Sequence, residues 1–294
     1  VSINRSKIPY LTHVWNVAVG CERDCPYCWA RPLAKRIGQS IGCKLCEEFT
    51  PHVHPERMKI PGGKPKVIGL GFMTEVFGRW CWQHVEDGLH LLGLSRDTAS
   101  LMHMLRSKIR RHPKHTFITP TKRPESIPHD FQPPDNWWLL VTCANQEDVD
   151  KRLPVALERW MPWRVVLNLE PLCGPVCIDT AHLLGELRCD GCGQRPAFGD
   201  AVAGQPHALY HQISDPPELC GFYHDMPGVA GVIVGGMSGP MAKRYPLDLD
   251  WVRRIRDECE AAGVPFAYKQ ANGGEQWPEL DGRRHKELPW DWRR

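Results

Sequence analysis

The side chains best suited to chemistry are three cysteines in the run Cys21-Glu-Arg-Asp-Cys25-Pro-Tyr-Cys28, a C-x3-C-x2-C spacing directly after the first strand-like segment. Three thiolates this close together on a loop can hold three corners of a cubane [4Fe–4S] cluster. The fourth iron is then left without a local protein ligand and is open to a small molecule. A fourth cysteine elsewhere in the chain would close it. Structural zinc, which normally takes four protein ligands, and chance clustering are the competing explanations.

Further cysteines stand near histidines. Cys43 and Cys46, followed by His52 and His54, offer two thiolates and two imidazoles, although five residues between the pairs is short for a zinc finger. Cys189 and Cys192, followed by His207 and His211, fit C-x2-C-x14-H-x3-H, a spacing within the range expected for zinc. Cys220 and His224 offer alternative ligands, and the two C-x2-C pairs could combine into one four-thiolate site. Zinc in the second set is the favoured expectation, because a segment with little apolar content gains stability from a metal. An auxiliary iron–sulfur cluster is the alternative.

Composition points the same way. Thirteen cysteines is an odd count, in a chain of 294 residues that is long enough to do without disulfide staples. The opening residues Val1-Ser-Ile-Asn-Arg5 carry no secretory apolar region, so a reducing, cytoplasmic setting is expected. No apolar run has the length of a spanning helix, and no membrane partner is expected. With 37 Lys+Arg against 34 Asp+Glu, the net charge of +3 does not announce a nucleic-acid binder. Twelve tryptophans and 27 prolines suggest a loop-rich globule with aromatic surfaces.

The elements that must position these residues alternate in type. Strand-like runs cover 14–19, 66–73, 115–119, 137–143, 164–169, 229–235 and 264–269, several of them continuously apolar, as in a parallel sheet buried on both faces. Helical patterns cover 29–38, 83–92, 98–111, 146–158 and 248–262. The last has Trp251, Ile255, Cys259 and Ala262 on one face and ends at Gly263. This order predicts an α/β fold, a partial or complete (β/α) barrel, since no GxGxxG opens the first helix as in an open dinucleotide-binding sheet. Residues 179–227 break the rhythm with Gly, Pro, Cys and His. They are expected to form an inserted subdomain in a barrel core made of 1–178 and 228–294.

The cysteine triplet, with an aromatic residue (Tyr27) before its last member and a β/α series after it, resembles the radical S-adenosylmethionine superfamily. More narrowly, the chain resembles the phage-associated Gp37/Gp68-like family. The matching stretches are His54-Pro-Glu-Arg57, Gly71-Phe-Met-Thr-Glu-Val-Phe-Gly78, Thr121-Lys-Arg-Pro124, Asn168-Leu-Glu-Pro171, Gly235-Gly-Met-Ser-Gly-Pro240 and Gly263-Val-Pro-Phe-Ala-Tyr-Lys-Gln270. The resemblance implies an open iron that chelates S-adenosylmethionine, and an external electron donor. It also implies a 5′-deoxyadenosyl radical that abstracts hydrogen from substrate. By position, Met73 and Thr74 correspond to the glycine-containing motif that contacts the methionine amino group; the common Gly-Gly-Glu form is absent.

In a (β/α) barrel, side chains that do chemistry sit at the carboxyl ends of the strands. Thr119 and Lys122 follow the third strand, where Lys122 and Arg123 could anchor a carboxylate or phosphate. Asn145 follows the fourth as a reader of ribose or base, or else as a helix N-cap. Cys143 is placed either to donate hydrogen to a radical or as core filling. Glu170 ends the fifth strand, where a carboxylate needs a partner, and Lys269 at the end of the seventh is the expected one. Gly235, Gly236 and Ser238 follow the sixth strand as ligand-binding candidates, where the glycines permit close approach of backbone to a ligand. The functional expectation is a radical S-adenosylmethionine enzyme acting on a nucleotide or nucleic-acid base. The basic run from Lys108 to Lys114 and tryptophans able to stack on bases motivate that substrate class. A peptide-modifying enzyme of the same class is the second reading, and a non-catalytic iron–sulfur or zinc nucleic-acid-binding protein the third.

Overall fold

A computed structural model describes residues 3–60, 62–78, 101–160, 164–189, 206–209, 218–226 and 228–290. Its centre is an eight-stranded sheet. The strands are β1 (Asn4–Arg5), β2 (His13–Trp15), β5 (Val67–Leu70), β6 (Thr116–Thr121), β7 (Trp137–Thr142), β8 (Val165–Leu169), β12 (Gly231–Gly235) and β13 (Phe266–Gln270), hydrogen-bonded in that order. Only the β1–β2 pair is antiparallel; every other neighbour is parallel. The sheet does not close on itself, so the architecture is a partial (β/α) barrel. The first expected strand divides in two: β2 joins the sheet, while β3 (Ala18–Val19) turns away to pair with β4 (His52–Val53).

Among the described residues the α-helices are α1 (Ala30–Ile41), α2 (Lys44–Glu48), α3 (Leu101–Arg110), α4 (Gln146–Arg159), α5 (Thr180–Leu184) and α6 (Leu249–Ala262). Gly263 caps α6 in the left-handed region at φ 67°, and Val252, Ile255 and Cys259 form its buried face. The helix expected at 83–92 lies outside the described residues. A second, three-stranded antiparallel sheet, ordered β10-β11-β9, is made by Glu186–Cys189 (β9), Pro206–Leu209 (β10) and Glu218–Met226 (β11). Among the described residues no helix is long and apolar enough to cross a membrane.

The six strands β5, β6, β7, β8, β12 and β13 send alternate side chains to two different cores. One set (Ile68, Phe117, Leu139, Leu167, Val232, Phe266) packs against Leu105 and Ile109 of α3, Leu153 of α4 and Ile255 of α6. The other set (Val67, Ile118, Leu140, Val166, Ile233, Ala267) faces the barrel interior and is sealed by Tyr10 and Trp290. This inner layer is a floor. Stepping two residues along each of these strands reaches the next inward positions, Gly69, Pro120, Thr142, Asn168, Gly235 and Lys269, and the floor gives way to polar groups, two glycines and a proline.

The tryptophans mostly support the fold. Trp15, Trp137 and Trp160 are fully buried, and Trp137 and Trp160 meet edge-to-face at 5.4 Å beside Phe77 and Phe131. The expected aromatic surface is thus not where these residues went: burying so much ring area is worth more than exposing it. Trp29 is exposed at 53%, and Trp138, Trp251 and Trp277 are half-buried. The basic run 108–114 ends α3 and leads into the start of β6, at the opposite end of the strands from their carboxyl termini. There Asn136 donates to the carbonyls of Ile109, His112 and His115, which makes the run a capped helix end.

Candidate active site

A cavity of about 570 Å³ opens at the carboxyl ends of the parallel strands. Cys21, Cys25 and Cys28 all line it, as do Glu75, Asn168, Glu170 and Lys269. The cysteine loop is held at its start by Gly20. That residue has φ 97°, and a Cβ there would lie 2.3 Å from the Thr50 carbonyl, so only glycine fits. Its N–H donates to the Met73 carbonyl at 3.1 Å, and its carbonyl accepts from the Thr74 hydroxyl at 2.6 Å. Met73 and Thr74 line the cavity, but these groups clamp the cysteine loop in place.

The other side of the loop is tied to the residues after β6. Arg23 donates to the Lys122 carbonyl at 3.3 Å, and Arg123 pairs with Glu22 at 3.1 Å. The Lys122 ammonium lies 3.6 Å from the Cys25 sulfur and 4.9 Å from the Tyr27 ring centroid. Glu75 organises this corner from below. Its carboxylate accepts from the Thr121 hydroxyl (2.8 Å), the Lys122 N–H (2.9 Å) and the Phe77 N–H (3.3 Å). Burial nevertheless raises its pKa, against those hydrogen bonds.

At the far wall Lys269 makes a close ion pair with Glu170 and also donates to Gln270 at 3.1 Å. Gly235 makes room for it: a Cβ there would come within 3.0 Å of the Glu170 side chain. Gly236 packs as tightly on the backbone of Asn272, and Ser238 lies at the exposed rim of the cavity. Tyr10, whose phenol is pushed up by burial and then by the charge of Glu170, stays protonated beneath the pair. Asn168 donates to the Thr142 hydroxyl at 3.3 Å, yet its Oδ1 is buried with no partner. An unmet buried acceptor costs about 1–3 kcal/mol, which a ligand donor would recover.

Three expected site residues do not line this cavity. Cys143 and Thr119 occupy the outward parity of their strands: Cys143 is fully buried in the helix-side core, and Thr119 accepts from the Trp137 indole at 2.7 Å. Burial pushes the Cys143 thiol up to about 12. Asn145 is the N-cap of α4, accepting from the Asp148 N–H at 2.9 Å. Of the second metal set, Cys192 and His211 lie outside the described residues, while Cys189 ends β9 and His207 sits in β10. The residues that sequence reasoning passed over are Glu75, Asn168 and Tyr10. The first two stood inside quoted motifs, but only their place in the barrel layers reveals their direction.

The thiols of Cys21, Cys25 and Cys28 are free, and burial raises the Cys21 pKa, with the neighbouring Glu75, Cys25 and Cys28 adding to it. Three partly buried cysteine sulfurs facing one cavity are a donor set that fits an iron–sulfur cluster. They are not gathered for a single ion. Among the described residues the group whose donor atoms all lie within 4.8 Å of one another is Cys43, Cys46, His52 and His54.

The fold and site thus define a partial (β/α) barrel with a cysteine-lined cavity at its functional face. The chain belongs to the family described as "Protein of unknown function (DUF5131)", which matches residues 5–289. No curated protein matches the sequence. A solved structure, that of a point mutant of spore photoproduct lyase, is similar over 93% of this chain and 79% of its own, at 10% identity and a TM-score of 0.41, too low a level to carry an inference.

Proposed function

We propose that this protein is a radical S-adenosylmethionine enzyme in which Cys21, Cys25 and Cys28 hold a [4Fe–4S] cluster. The observation that carries the reading is that the three thiols open on the same cavity as Asn168, Glu170 and Lys269 at the strand ends. When bound, the cluster would supply the electron, received from an external donor, that cleaves S-adenosylmethionine to a 5′-deoxyadenosyl radical.

The chain's own residues supply binding and orientation. The cavity volume of about 570 Å³ suits a small molecule, within the usual range of roughly 300–1,000 Å³. Glu170 meets Lys269 through one carboxylate oxygen, and its second oxygen can accept from a hydroxyl or ammonium of a ligand. Asn168 offers the unmet acceptor beside it. The Lys122 ammonium balances the charge at Cys25. Basic side chains at the wall (Arg5, Lys7, Arg23, Lys122, Lys269) outnumber the acidic ones (Glu75, Glu170), which favours an anionic ligand such as a nucleotide; a nucleotide or nucleic-acid base is the first substrate class to test. Residues 179–227 form an inserted subdomain in this proposal, and peptide modification is the competing enzyme reading.

The test is anaerobic reconstitution, reduction with dithionite and addition of S-adenosylmethionine. Formation of 5′-deoxyadenosine is expected. A fully reconstituted cluster protein that forms none would end the enzyme reading.

A further inference from the structure

We propose that Cys43, Cys46, His52 and His54 bind a single structural zinc ion, separate from the cysteine loop of the cavity. Their donor atoms are already drawn together. His52 Nε2 lies 3.4 Å from each of the Cys43 and Cys46 sulfurs, and His54 Nε2 lies 3.2 Å from Cys46 Sγ and 3.0 Å from His52 Nε2. With metal–sulfur distances of about 2.3 Å and metal–nitrogen distances of about 2.0–2.1 Å, tetrahedral edges come out at roughly 3.3–3.8 Å, close to this spacing.

Proton placement makes a stronger case than proximity. His52 Nδ1 is 2.8 Å from the Thr50 carbonyl, and His54 Nδ1 is 3.0 Å from the Glu56 carboxylate. Both partners can only accept, so both Nδ1 atoms carry hydrogen, and in the neutral rings both Nε2 atoms present lone pairs. Two lone pairs pointed at one another across 3.0 Å repel unless a cation lies between them. A carbonyl or carboxylate on the remote nitrogen is also the usual outer support of a metal-bound imidazole.

The ion is zinc rather than an iron–sulfur cluster because the donors share one centre. In a two-iron cluster with mixed ligation, the two histidines bind one iron and the two cysteines the other. Here His52 is equidistant from both sulfurs.

The ligands come from two places that frame the cavity's cysteine loop. Cys43 and Cys46 follow α1, which starts two residues after Cys28, whereas His52 lies on β4, and His54 directly after it, against the β3 strand that leads to Gly20 and Cys21. Between the two sites Val19, Ala34, Cys46, Phe49 and Met73 make a small core of their own. The zinc is therefore a brace that fixes both ends of the loop. The site itself stands whether or not that loop carries a cluster.

Metal analysis of the full chain, paired with cobalt(II) substitution, tests the proposal. A variant with Cys21, Cys25 and Cys28 all changed to alanine is expected to retain its zinc, whereas Cys43→Ser loses one equivalent relative to its parent. Cobalt should give the intense visible bands of a tetrahedral thiolate site, and His52→Cys should still bind cobalt with those bands shifted to longer wavelength, which keeps the test valid if Cys43→Ser folds poorly. Full zinc in Cys43→Ser together with unchanged cobalt bands in His52→Cys would place the metal elsewhere and overturn the proposal. So would iron in place of zinc, or octahedral cobalt spectra.

Discussion

Two cysteine groups lie on either side of one small core, and they are built on opposite plans. Cys43, Cys46, His52 and His54 converge on a point, and both remote imidazole nitrogens are spoken for. Cys21, Cys25 and Cys28 instead line a cavity wall, with a lysine beside one of them. Convergence with every proton fixed leaves an ion nothing to do but hold the chain. Divergence toward a cavity leaves room for something larger than an ion, and for a ligand on it. Spacing in the sequence makes the two groups look alike; direction in the fold separates them.

The sharpest way to break that contrast is to exchange the losses. Cys25→Ala should abolish 5′-deoxyadenosine formation while leaving zinc content and melting temperature near those of the parent, and Cys46→Ser should lower the melting temperature and remove the zinc. Equal effects of the two on both readouts would mean the groups are one site. Next in size is the buried pair. Lys269→Met leaves Glu170 without its partner and should cost about 3 kcal/mol in urea denaturation, with much of it recovered in the Glu170→Gln, Lys269→Met double variant. Thr74→Val removes the hydroxyl that holds the Gly20 carbonyl. It should cost about 1 kcal/mol, and the variant should load iron less completely after reconstitution. The smallest functional effect belongs to Cys143→Ala, expected to change turnover less than about twofold and stability by about 1 kcal/mol. With its pKa pushed up to about 12, the Cys143 thiol stays protonated through the neutral range, so iodoacetamide should label it at pH 8 only after unfolding.

Much of the barrel was legible in the sequence because each parallel strand is an apolar run long enough to register on its own. The same property hid the site. A strand apolar on both faces shows no alternation, so nothing in residues 137–143 said that Thr142 faces the cavity and Cys143 the helices. Glu170 and Lys269 could be paired in advance, because a carboxylate and an ammonium ending two apolar strands have few other partners. Asn145 could not be assigned, since an amide just before a helix serves a ligand and an N-cap equally well; the Asp148 N–H decided it. The spacing of the tight group at Cys43 is short only by a rule drawn from fingers in which a helix carries both histidines. Here a strand supplies His52, with His54 just beyond it, and two residues apart on extended chain point the same way.

The layered barrel interior carries a consequence for how this protein can change. Along β7, β8, β12 and β13 the odd and even positions belong to different worlds, one to the helices and one to the floor and cavity. Inserting or deleting a single residue within any of these strands would swap their parity and place core leucines in the cavity and Asn168 or Lys269 among the helices. The strands can therefore be retuned only by substitution, one inward position at a time. Changes of length are left to the segments that follow their carboxyl ends, and new specificity would have to be written there.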